Sequence, residues 1–105
     1  MKRIIDGKRY DTTTALEIAQ WGNGCNDGDF DRCSETLYVT KSGAFFLLGE
    51  GGASSKYSTS YRGGRSRGGG EEIIPMSKDE AFLWCEKNEQ TECIETHFAD
   101  GIMDA

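Results

Sequence analysis

The stretch Glu35-Thr36-Leu37-Tyr38-Val39-Thr40-Lys41-Ser42-Gly43-Ala44-Phe45-Phe46-Leu47-Leu48 decides the fold class. Its two arms are rich in aromatic and β-branched residues, which fit a pleated, half-buried surface, and they flank a short polar turn ending in glycine. The pattern predicts a β-hairpin with strands Glu35–Thr40 and Ala44–Leu48. A first hairpin is predicted upstream. Lys2–Ile5 and Lys8–Tyr10 flank Asp6-Gly7, a dipeptide suited to the positive φ of a tight turn. Between the hairpins, Asp11 and Thr12 read as caps of a helix starting near Thr13. Ala15, Leu16, Ile18 and Ala19 would form its apolar side, and Gly22 or Gly24 would end it. The next segment, Asn23 to Arg32, reads as a polar loop.

Downstream, residues 50–71 are mostly Gly, Ser, Tyr and Arg and read as a flexible loop. Ile73-Ile74-Pro75-Met76 reads as a short edge strand, since proline cannot donate to an interior ladder. Ser77-Lys78-Asp79-Glu80 is a capping box opening a helix that runs to about Asn88, and a second short helix is expected over Thr91–Phe98. The whole predicts one α+β domain over residues 1–105. Its small antiparallel sheet is built from two β-hairpins and packed by two to three α-helices, the Thr13 and Ser77 helices among them.

Composition narrows the function. With 105 residues, 36% of them apolar, the chain can bury only about two thirds of its unfolded surface, so a staple, a metal or a partner would help it. No apolar run approaches the roughly 20 residues that span a bilayer, and Met1–Asp6 lacks the apolar stretch of a signal peptide. A cytoplasmic chain with no membrane contact is therefore expected. The formal charge of −6 is unevenly spread: residues 1–70 carry ten basic and eight acidic groups, residues 71–105 two basic and ten acidic. This predicts a basic loop and an acidic C-terminal end. Such polarity bears on partner choice and association rate, although an acidic helix face can also simply keep a protein in solution.

The four cysteines form two pairs of equal spacing, Cys25-x7-Cys33 and Cys85-x7-Cys93. In a reducing compartment these are free thiols or metal ligands rather than disulfides. Four such groups satisfy structural zinc. His97, the only histidine, lies four residues after Cys93 on the expected helix. Two ligand sets are open: Cys25, Cys33, Cys93 and His97, or the two loop cysteines with Cys85 and Cys93. The seven-residue gaps are longer than zinc sites usually use, and Cys85 also falls where a helix faces the core.

Tyr61-Arg62-Gly63-Gly64-Arg65-Ser66-Arg67-Gly68 has the look of an arginine–glycine segment. Arg62, Arg65 and Arg67 could there reach phosphates or an acidic protein surface; a solvated linker is the plainer reading. On the Ser77 helix, Ala81, Trp84, Cys85 and Asn88 share one side. Phe82 and Leu83 fall partly off it, where they either widen the buried stripe or form an apolar patch for a partner. No residue set marks a nucleophile with its base and orienting group, so a non-enzymatic, binding function is expected.

Ile4–Thr12, Glu35-Thr36-Leu37-Tyr38, Phe45-Phe46-Leu47, Gly49-Glu50-Gly51-Gly52, Ser55-Lys56-Tyr57 and Ile73–Ser77 together resemble a family of short proteins carried by bacterial phages, plasmids and integrative elements. The resemblance covers most of residues 3–88. Small acidic proteins of such elements include anti-CRISPR inhibitors of type II effectors. The resemblance thus implies stoichiometric occlusion of target DNA loading on a CRISPR effector nuclease of the bacterial host. An acidic face of Glu86, Glu89, Glu92 and Glu95 would then enter a basic nucleic-acid channel. Two other functions stay open: a nucleic-acid-binding accessory protein using the Arg62–Arg67 loop, and a zinc-stabilised structural interaction module.

Overall fold

The computed structural model describes residues 1–24, 31–52, 56–57, 59–61 and 66–105, with 59–61 and 66–68 described by their backbone. Strands β1 (Lys2–Ile5) and β2 (Lys8–Asp11) form a separate two-stranded hairpin. Its turn places Asp6 at φ 52° and Gly7 at φ 76°, the left-handed pair that the Asp-Gly sequence favours. Strands β3 (Leu16–Gly22), β4 (Cys33–Val39), β5 (Phe45–Gly51) and β8 (Gly70–Met76) form the main sheet, antiparallel throughout, in the order β3-β4-β5-β8. Within the stretch read as a loop, β6 (Thr59–Tyr61) pairs with β7 (Ser66–Gly68) as a third, small sheet. Helices α1 (Lys78–Lys87) and α2 (Thr91–His97) close the chain, with a 3-10 turn after them at Ala99–Gly101.

The class is α+β, as expected. The segment after the first hairpin differs from the expectation. Asp11 does cap a turn: its carboxylate accepts from the Thr13 amide at 2.9 Å and the Thr13 hydroxyl at 2.7 Å, and its carbonyl accepts from the Ala15 amide at 3.1 Å. That turn stops after one round. Leu16–Gly22 then runs as an edge strand, because the open side of β4 offers it a ladder from Leu16↔Val39 to Gly22↔Ser34. A register shift between Glu17 and Ala19 lets both Ile18 and Ala19 pack toward the same core, which gave the sequence its helix-like apolar spacing.

Each face of the sheet is covered. On one, Ala19, Leu37 and Leu47 meet Ala81, Trp84 and Cys85 of α1, Cys93 of α2, and Phe98. On the other, Phe46, Leu48 and Ile73 meet Tyr10 of the first hairpin. There Phe46 lies edge-on to Tyr10 (centroids 5.5 Å) and stacked on Tyr38 (5.0 Å). The result is three layers: hairpin, sheet, helices.

The capping box forms as read. The Ser77 hydroxyl accepts from the Glu80 amide at 3.1 Å, and the Glu80 carboxylate accepts from the Ser77 amide at 2.9 Å. Ser77→Ala removes one arm of this exchange, and a urea titration should show a loss of about 1 kcal/mol with an unchanged slope.

Candidate functional site

Two features stand out: a buried carboxylate that organises one end of the core, and an acid-rimmed cleft on the helices.

Alternation along β4 turns Glu35 to the same face as Leu37, toward α1, and the residue is 6% exposed. A charge there needs partners. Trp84 of α1 donates its indole N–H to Glu35 Oε1 at 3.1 Å, the Tyr57 hydroxyl donates to Oε2, and Lys56 Nζ lies 2.9 Å from Oε2. Burial alone would raise the carboxyl's pKa, but the hydrogen bonds from Tyr57, Lys56 and Trp84 outweigh it and hold the group below its usual range. The Tyr57 hydroxyl is pushed upward, by burial and then by this carboxylate. Opposite Glu35 in the ladder stands Gly49, whose missing side chain leaves the space the Tyr57 ring fills: a Cβ there would lie 2.0 Å from the ring. Sequence reasoning did not single out Glu35 or Tyr57. The signal was present, since strand alternation alone puts an acid on the core side beside Leu37. This cluster fastens the chain after β5 to the sheet and to α1. It has the chemistry of a structural joint.

The second feature lies between the helices. Phe82, Ile94, Ile102 and Met103 line a cleft of about 450 Å³, with Glu86 and Glu95 at its rim. Phe82 is held by Phe98, edge-on at 5.8 Å, while Met103 is 91% exposed. Phe82 thus packs on the core and also lines an open apolar surface. Glu86, Glu89, Glu92 and Glu95 are all exposed and make no ion pair among the described residues; Lys78, on the same layer, pairs with Asp100 at 2.9 Å. Glu92 sits in the first turn of α2, where the helix macrodipole favours an acid. Glu86 is next to last in α1 and Glu95 lies in the last turn of α2, where the macrodipole disfavours one. Both carboxylates bordering the cleft are thus placed against their own helices.

Charge is segregated by layer. Opposite the acidic helices, the first hairpin carries Lys2, Arg3, Lys8 and Arg9, all exposed. Of the residues read as partner contacts in the arginine–glycine segment, Arg62 and Arg65 lie outside the described residues, and Arg67 stands on β7.

Of the residues read as zinc ligands, the structure brings two together: the Cys85 and Cys93 sulfurs are 3.7 Å apart between α1 and α2. Burial, then the Cys93 contact, pushes the Cys85 thiol up to about 12, and burial raises Cys93. Cys33 is half-buried on β4, raised by burial and then by Glu35. His97 ends α2 half-buried, and Cys25 lies outside the described residues. Among the described residues no group of three or more His, Cys, Asp or Glu side chains is arranged to hold a metal ion, and no helix is long and apolar enough to cross a membrane. No family model, curated protein or solved structure matches this chain.

Proposed function

We propose that this chain is a protein-binding inhibitor of a bacterial defence nuclease of the CRISPR effector type. Its acidic helix layer seats on the basic nucleic-acid channel of the effector and excludes target DNA. The observation that carries the binding half of this reading is the placement of Glu86 and Glu95. Two carboxylates that make no ion pair among the described residues border an apolar cleft, each near the C-terminal end of its own helix, where the macrodipole disfavours an acid. Local cost at a surface cleft is the mark of a residue kept for what it meets. The fitting counterpart is a basic surface with an aliphatic anchor. Lysine or arginine pairs with the carboxylates while the anchor fills the cleft over Phe82 and Ile94. Channels that hold a guide–target duplex are positively charged, which supports this type of partner.

Charge reversal at the rim separates a contact from a structural role, because the two predict opposite signs. Glu86→Lys with Glu95→Lys should leave the isolated chain as stable or slightly more stable, with a melting midpoint level or raised by a few degrees. Association with the effector–guide complex should slow at least tenfold, more at low salt than at high salt. An unchanged association rate at low salt contradicts the proposed face.

A further inference from the structure

The two thiols between the helices are placed for chemistry that the binding role does not use. Cys85 is fully buried on α1 and Cys93 is 7% exposed on α2, with sulfurs 3.7 Å apart. The two helices are held unequally. Helix α1 starts on the Ser77 capping box and ends with the Asn88 side chain donating to the Trp84 carbonyl at 2.9 Å. Helix α2 has seven residues and no side-chain cap at its start. It is entered through Glu89 at φ 56°, a left-handed conformation costly for a residue with a side chain. Helix α2 is held by the packing of Cys93, Ile94 and Phe98, together with Gln90, whose amide donates to the Cys85 carbonyl at 2.8 Å and whose side chain donates to the Gln20 carbonyl at 2.9 Å. A helix this short, with little local support, opens at lower free energy than the sheet beneath it. Opening of α2 would uncover both sulfurs.

We propose that Cys85 and Cys93 form a reversible disulfide site, oxidised by a small-molecule disulfide of the glutathione class, which fastens α2 to α1. When α2 opens, one thiol loses its proton and attacks the small disulfide. A mixed disulfide forms and one small thiolate leaves, taking up that proton. The second cysteine, deprotonated in turn, attacks the protein-side sulfur and expels the other small thiol. Two protein thiols are oxidised by two electrons, and one small disulfide is reduced to two thiols. The sulfurs then close from 3.7 Å to about 2.05 Å. This site is independent of the inhibitor reading. It does bear on the cleft, since Glu86 and Ile94 of its lining adjoin the two cysteines in sequence.

The test uses the full chain in chelator, equilibrated with oxidised glutathione in large excess over reduced glutathione, then probed by intact mass, peptide mapping and thermal melting. Loss of the mass of two hydrogens is expected, mapped to a Cys85–Cys93 link. The melting midpoint should lie several degrees above that of the reduced chain. Cys93→Ser should lose the link and hold at most a single glutathione at Cys85; if that variant does not fold, mapping on the unaltered chain decides alone. Persistence of both thiols at equilibrium overturns the proposal. So does pairing of either with Cys25 or Cys33, or a linked chain that melts lower than the reduced one.

Discussion

Glu35→Ala should destabilise the fold by about 3–5 kcal/mol, enough to leave a domain of this size largely unfolded near its working temperature. The loss does not come from the ion pair with Lys56, whose side chain is 60% exposed, because such pairs contribute little. It comes from what the carboxylate leaves behind. The Trp84 indole N–H and the Tyr57 hydroxyl both donate to Glu35, and both residues are buried. The Trp84 indole N–H loses its acceptor at a cost of roughly 1–3 kcal/mol, the Tyr57 hydroxyl loses its bond to the carboxylate, and the vacated space adds a cavity cost. Glu35→Gln keeps the shape and one acceptor and should fall between. The acid limb gives a second readout. Because the folded state holds this carboxyl below its usual range, its contribution is complete above the unfolded-chain value of about 4.3 and is lost as pH falls through the folded value. The stability gap between the natural chain and Glu35→Gln, followed by urea titration, should therefore shrink as pH falls from about 6 to about 3. A gap independent of pH would show that Glu35 acts through its shape alone.

Gly49→Ala should cost about 2–4 kcal/mol, a large effect for one methyl group at a strand position that alanine otherwise tolerates. The added carbon would lie 2.0 Å from the Tyr57 ring and 2.5 Å from its hydroxyl oxygen. The ring must leave, and with it the hydroxyl that satisfies Glu35. The penalty is thus shared with Tyr57, and the double variant Gly49→Ala with Tyr57→Ala should be well short of additive. Additive losses would place the effect of Gly49 in the backbone rather than in the space it leaves.

Much of this architecture could be read in the residues. Asp6-Gly7 and Ser42-Gly43 announced the two hairpins because those turns need local φ values that few other residues adopt. Ser77 and Glu80 announced α1 because the capping box is a contact within four residues. Leu16–Gly22 could not be read in the same way. Its cap at Asp11 is real, but the conformation beyond the cap is decided by an open ladder on β4 and by a bulge at Ile18 that mimics helical spacing. The buried joint was opaque for a related reason: Glu35, Gly49, Tyr57 and Trp84 are distant in sequence and meet only when β4, β5 and α1 are assembled. At the cleft, the acidic residues and Phe82 were each visible in the sequence, but not as one surface. Which two of them sit against the macrodipole at its rim depends on where α1 and α2 end.

If the helix layer is a surface that plugs a partner in a fixed ratio, stoichiometry is its most direct signature. The measurement is a titration of this chain into a CRISPR type II effector–guide complex, with target DNA loading and cleavage read at each step. Loading should fall linearly and end at one chain per complex, while the Glu86→Lys and Glu95→Lys double variant leaves it intact. Undiminished loading and cleavage at large excess of the natural chain would contradict the account.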